Sequence, residues 1–164
     1  MADYVILADS CMDLSKEQRQ EFKIEQPVPG SIVFPDGSDH LADIDWQDIT
    51  FEDFYHRLDK KEAFKTGLPN TFLVNERVEE YFKAGKDVLA VTLSSAMSGT
   101  YNVFLLIKND LEEKYPGRKL FVVDSRRYSG GISILCLLAS KNREKGMSIE
   151  IGRASCRERV SPRV

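Results

Sequence analysis

Val88 to Thr100 reads VLAVTLSSAMSGT: six residues that are apolar but for Thr92, then a turn carrying Ser94, Ser95, Ser98, Gly99 and Thr100. A short run that is apolar on both faces suits a strand covered by helices on either side, the arrangement of a parallel sheet. Working outward, Tyr4 to Ala8 (YVILA) and Leu120 to Val123 (LFVV) are runs of the same kind. Helical patterns lie between them. Phe51, Phe54, Tyr55 and Leu58 follow i, i+3, i+4, i+7, and Val74, Val78, Tyr81 and Phe82 follow i, i+4, i+7, i+8. Tyr101, Phe104, Leu105, Leu111 and Tyr115 make a third stripe, stopped by Pro116-Gly117. The alternation predicts an α/β fold, a parallel sheet with helices on both faces, with these aromatics in the core.

Two segments depart from that rhythm. The helix beginning near Gly130 carries Ile132, Ile134, Leu135, Cys136, Leu137 and Leu138, almost without a polar face, so it has to be covered all round. Residues 24 to 50, with Ser31 to Phe34, the Pro35-Asp36-Gly37 turn and the acidic stretch Asp43 to Asp48, read as an irregular hairpin excursion.

With 164 residues, 42% hydrophobic and 10% aromatic, the chain suffices for one domain with a single core. No stretch approaches the roughly 18 to 20 apolar residues of a membrane span, and the N-terminus is acidic where a secretory signal would be basic, so the expected address is the cytoplasm. Cys11, Cys136 and Cys156 have neither zinc-site nor disulfide spacing, and Cys11 and Cys136 read as small buried hydrophobes. Residues 151–164 stand apart. Ile151 to Val160, IGRASCRERV, matches codon by codon the translation of a common sequencing adapter, and the segment carries four arginines against one glutamate. Without it the formal charge of −3 becomes −6 over residues 1–150. The expectation is therefore one domain, 1–150, truncated before a second one, followed by an adapter-derived stretch rather than a basic binding tail. An acidic body also speaks against nucleic acid as a partner.

The chemistry gathers where the strands end. The first runs into Asp9-Ser10, the middle one into the serine-rich turn, and the last into Asp124-Ser125 followed by Ser129-Gly130-Gly131. In open α/β sheets the ligand crevice lies outside the carboxyl ends of the strands, so the three hydroxyl-rich turns are expected to converge on one ligand. A serine-rich turn before a helix favours an anion, through the unpaired first-turn N–H groups and the positive end of the dipole. Ser98 is also placed to serve simply as the N-cap. Equipment for bond breaking is sparse: His40 and His56 lie away from the strand ends, and the phosphate-loop, nucleophile-elbow, dinucleotide and zinc-protease motifs are missing. Asp9 and Asp124 leave open a phosphotransferase or hydrolase at the same crevice.

At these residues the sequence resembles the DegV family, in ILADSCMDL, FEDFY, KTGLPN, VTLSSAMSGTY and VVDSRRYSGG, which together span most of residues 5 to 147. The resemblance implies a carrier, not an enzyme: a bacterial protein that binds a long-chain fatty acid and presents it to a separate fatty acid kinase subunit, with no cofactor and at most transient membrane contact. It further implies that Thr66 and Ser95, with Ser94 beside it, hydrogen-bond the carboxylate. Ser98, Gly99 and Thr100 would shape the turn, and Gly130 and Gly131 would let the acyl chain approach the backbone. The sequence departs from the family at TGLPN, where Gly67 and Asn70 stand for hydroxyl residues, and at Ala8, which replaces a threonine.

Overall fold

The structure, a computed structural model, describes residues 4–160. At its centre three parallel strands, β1 (Tyr4–Ala8), β5 (Asp87–Thr92) and β6 (Leu120–Asp124), lie in the order β1-β5-β6. Ile6 stands opposite Leu89, and Leu89 opposite Phe121, so alternate residues of each strand leave the sheet on opposite sides. Each side then builds its own core. Tyr4, Ile6, Leu89, Val91 and Val123 pack toward α5 (Gly130–Glu144), through Ile132, Leu135, Cys136 and Ala139. Val5, Leu7, Val88, Ala90 and Leu120 pack toward α3 (Thr71–Lys83) and α4 (Thr100–Lys114), through Val78, Phe82, Phe104 and Ile107. The predicted two-sided parallel sheet is what the chain forms.

The excursion between β1 and β5 adds α1 (Lys16–Glu21), the strands β2 (Gly30–Val33) and β3 (Asp39–Ala42), α2 (Phe51–Asp59) and β4 (Lys65–Gly67). The three strands make a small antiparallel sheet, order β3-β2-β4, whose hairpin turns at the Pro35-Asp36-Gly37 segment with Gly37 at φ 87. Helix α1 has no apolar stripe to announce it. Its signal is the capping box, in which Ser15 Oγ accepts the Gln18 N–H while the Gln18 side chain accepts the Ser15 N–H. Arg19 of α1 is 3% exposed and ties this region together, donating to the Leu14 carbonyl at 2.8 Å, to Gln26, and to both carboxylate oxygens of Asp45.

Three sequence expectations are corrected here. The aromatics of α2 are not core: no residue of that helix is buried, and Phe51, Tyr55 and Leu58 are exposed. They pack against one another around Trp46, whose ring centroid lies 5.5 Å from Phe51 and 5.4 Å from Phe54, because α2 sits outside the parallel sheet. Leu105 is likewise exposed on the outer face of α4. Cys11 is exposed as well, since the chain leaves the sheet at Asp9, whereas Cys136 is buried as expected.

Helix α6 (Ile149–Val160) contains most of the segment set apart by its composition; residues 161–164 lie outside the described residues. It lies along α5 and β6, with Ile149, Gly152 and Cys156 buried, and covers part of α5; Ile134 on the far side of α5 stays 60% exposed, so that helix is not covered all round as its sequence predicts. At Gly152 the approach is close: a Cβ there would come within 3.0 Å of the Tyr4 hydroxyl oxygen.

Candidate functional site: a hydroxyl-lined crevice at the strand ends

A crevice of about 440 Å³ opens where β1 and β5 end, and β4 closes it from the small sheet. Its polar wall consists of Asp9 and Ser10 after β1, Thr66 in β4, and Ser98 and Thr100 at the start of α4. Leu68, Pro69, Leu93 and Met97 supply apolar surface. Gly99 faces Leu68, whose Cδ1 would lie 3.1 Å from an added Cβ, so glycine keeps that wall close.

Donor accounting shows what the crevice can offer. The Ser98 and Thr100 hydroxyls are bonded to each other at 2.9 Å, and Ser98 Oγ also accepts the Thr100 N–H, so the pair keeps one O–H proton to give. Ser10 Oγ accepts the Gly30 N–H at 3.2 Å and retains its own proton. Thr66 is exposed, and among the described residues its hydroxyl has no protein partner. Three O–H donors thus face a space walled on one side by the N-terminus of a 15-residue helix. That is an acceptor-seeking site, complementary to an oxyanion.

Of the sequence-predicted residues, Asp9, Ser10, Thr66, Ser98, Gly99 and Thr100 come together in this crevice, and the others do not. Ser95 turns to β6: its hydroxyl donates to Asp124 at 2.6 Å, and its N–H to the other carboxylate oxygen at 3.0 Å. Ser94 is buried, its Oγ accepting the Ala96 N–H. Ser125 is fully buried, donating to the Arg127 carbonyl and accepting the Arg127 N–H, so the third turn does not join the other two. Arg126 and Ser129, both in the left-handed region, bend this loop back on itself. Gly130 faces open space, and Gly131 packs against the stem of Arg127, where a Cβ would meet Arg127 Cβ at 2.8 Å. The N-cap of α4 is Gly99 rather than Ser98, which stands one residue earlier. Leu68, Pro69 and Met97 went unnoticed in the sequence, since isolated apolar residues in loops give no periodic signal.

The two aspartates are occupied by backbone. Asp9 is 2% exposed and accepts the Leu93 N–H at 2.6 Å and the Cys11 N–H at 3.0 Å, which locks the end of β1 to the end of β5. Burial raises its pKa above the ordinary value, against the pull of those two N–H groups. For Asp124, partial burial acts in the same direction, but the Ser95 hydroxyl and the Arg126 and Ser95 N–H groups outweigh it and hold the pKa below the usual range. Both carboxylates are thus spent on the turns beside them, and among the described residues no group of three or more His, Cys, Asp and Glu could hold a metal ion. The Cys11 thiol beside Asp9 is pushed up to about 12 by the protein packed around it and by that carboxylate.

A sequence profile described as "Uncharacterised protein, DegV family" matches residues 3–159. A DegV domain-containing protein of Clostridium perfringens is 34% identical over 150 residues, which cover 92% of this chain and 50% of the relative. Among solved structures, a stearic acid-binding protein from Eubacterium ventriosum superposes with a TM-score of 0.83 at 27% identity, covering 94% of this chain and 52% of the other. A DegV lipid-binding protein from Thermotoga maritima gives 0.83 at 28% identity, covering 96% and 54%. The chain spans about half the length of the curated relatives it matches. It belongs to the DegV family.

Proposed function

We infer that the chain binds a long-chain fatty acid and holds its carboxylate in the strand-end crevice. The observation that carries this reading is the coincidence of a crevice offering three O–H donors with a fold shared, at 27% identity, with a stearic acid-binding protein. In this reading Thr66 donates to one carboxylate oxygen. Ser10 and the free proton of the Ser98–Thr100 pair serve the other. Ser95 joins only by giving up Asp124. Charge-assisted hydrogen bonds to a carboxylate are about twice as strong as neutral ones, and the α4 N-terminus adds a favourable field. The head group is gripped rather than attacked in this reading, because Asp9 is engaged by backbone N–H groups and, among the described residues, the Ser10, Ser98 and Thr100 hydroxyls of the crevice are bonded to backbone or to each other rather than to a carboxylate or imidazole. The chain then acts as a carrier: a separate fatty acid kinase subunit, the partner that the family resemblance implies, would phosphorylate the presented carboxylate.

Extraction of lipid from the purified protein, followed by mass spectrometry, tests the reading. A long-chain fatty acid at near-stoichiometric amount is expected. An empty crevice that also takes up no added stearate overturns it.

A further inference from the structure

Away from the strand ends, His40 of β3 stands in a second polar cluster. Its Nε2 lies 2.8 Å from Ser38 Oγ, and its Nδ1 lies 3.4 Å from a carboxylate oxygen of Asp48. Serine, histidine and aspartate in that order would make a nucleophile with its base, but the protons run the other way. Ser38 gives its one O–H to Asp36 at 2.6 Å, so toward His40 it has only a lone pair to offer. Asp48 is a carboxylate and likewise accepts. Both ring nitrogens therefore face acceptors. A neutral imidazole carries one N–H and can serve one of them, whereas an imidazolium serves both.

We propose that His40 is a proton-operated clasp, which when protonated ties the β2–β3 hairpin to the segment leading into α2 and when neutral lets that segment swing away. Asp48 is the point of attachment, and it also accepts the Leu41 N–H of β3 at 3.1 Å. Beyond it the arm is loosely held. Helix α2 buries none of its own residues, and Trp46 (φ 53) and Lys61 (φ 61) bracket it in the left-handed region. Few buried contacts mark a segment that opens locally at low cost. The charges around His40 favour the closed form. Asp36 on the hairpin and Asp48 on the arm both favour a charged ring, and the Phe34 ring, 4.1 Å away between centroids, offers its face to a cation. From α2, Arg57 opposes them with its guanidinium 4.9 Å from the centre of the same Phe34 ring, but Glu62 pairs with it at 2.8 Å. The His40 and Asp48 side chains are 32% and 42% exposed, so protons reach them from solvent and the pair is too weak to decide global folding. It is strong enough to bias a loosely held arm, whose Trp46, Asp48 and Phe54 wall a cavity of about 310 Å³ beside Leu41.

Trp46 is the single tryptophan of the chain, so its access to solvent reports on the arm in the unmodified protein. The experiment measures acrylamide quenching of Trp46 in the full chain between about pH 6 and 8, within the span over which an imidazole changes its charge. Quenching is expected to rise with pH in wild type and in His56→Gln, which removes the other histidine. In His40→Gln the rise should be lost, with quenching high at every pH and the far-UV circular dichroism unchanged. Quenching that is flat in wild type, or that keeps its pH response in His40→Gln, overturns the clasp. A further measurement needs no variant. In histidine-labelled wild type, NMR identifies His40 by its proximity to Phe34, and its ring should pass from doubly to singly protonated over the pH range in which Trp46 becomes accessible. Two transitions that fail to coincide overturn the proposal. So does covalent capture of Ser38 by a fluorophosphonate, which requires His40 to take a proton from the serine rather than give one to it.

Discussion

Asp9→Asn is the most informative single change. Asp9 receives two N–H groups on two different oxygens, from Leu93 at 2.6 Å and Cys11 at 3.0 Å, at a position 2% exposed. Asparagine can present one carbonyl oxygen and must turn its NH₂ toward the other N–H, so one buried donor loses its acceptor at a cost of about 1–3 kcal/mol. Removing a buried charge offsets part of this, which places the expected loss in the lower half of that range. The pH dependence follows from the raised pKa. The folded state binds the Asp9 proton more tightly than the unfolded chain, so the contribution of Asp9 is complete below its ordinary value of 3.8 and is lost as pH rises through the folded pKa. Within that window wild-type stability falls relative to the variant by about 1.4 kcal/mol per pH unit. Urea unfolding of both proteins, followed by circular dichroism from below pH 3.8 to neutral pH, measures the gap. It should be widest at the acidic end and narrow toward neutrality. A gap that grows with pH, or a variant as stable as wild type throughout, would refute the account of Asp9 as a buried latch. The same variant separates the carrier from the alternative enzyme, because metal-dependent turnover lost with Asp9→Asn would favour the latter.

Other expectations concern the crevice and its supports. Thr66→Val removes the donor without a protein partner and should weaken fatty acid retention about tenfold or more, the value of one charge-assisted hydrogen bond. Ser95→Ala should weaken it less, because that hydroxyl has to leave Asp124 first; competitive displacement of a fluorescent fatty acid ranks the two, and the opposite order contradicts the donor accounting. Phe104→Ala, at a fully buried position on the face of α4 that packs against the sheet, should cost about 3–5 kcal/mol in chemical denaturation, and a loss below 1 kcal/mol argues against the packing described. Cys11, exposed but with a thiol pushed up to about 12, should react slowly with iodoacetamide at neutral pH and faster as pH rises, with protection by bound stearate as a further readout.

Much of the fold is visible in the sequence, because the parallel strands are apolar on both faces, α3 and α4 bring their own stripes, and α5 is apolar almost all round. The excursion is harder to read. Its strands run three or four residues, too short to show alternation, and α1 is signalled by Ser15 and Gln18 rather than by periodicity. The stripe of Phe51, Phe54, Tyr55 and Leu58 is a true helical face, yet it packs against Trp46 and its own neighbours at the periphery; periodicity reveals which side is apolar and not how deeply it is covered. Half of the candidate site follows from counting strand ends, as Ser10, Ser98 and Thr100 show. The remainder depends on contacts between distant segments. Thr66 reaches the crevice only because β4 pairs with β2, Ser95 is drawn to Asp124 at the end of a neighbouring strand, and Ser125 is turned inward by a loop with two left-handed residues. None of these is encoded in local spacing.

The most direct test of the head-group claim is carbon-13 NMR of stearate labelled at the carboxyl carbon and bound to the protein. Held by three O–H donors at a helix N-terminus, the carboxylate should give a single resonance that stays in its ionised position to lower pH than free fatty acid, and Thr66→Val should move that titration back toward the free value. A bound carboxyl that titrates like free or micellar stearate, or one indifferent to Thr66, would contradict the account.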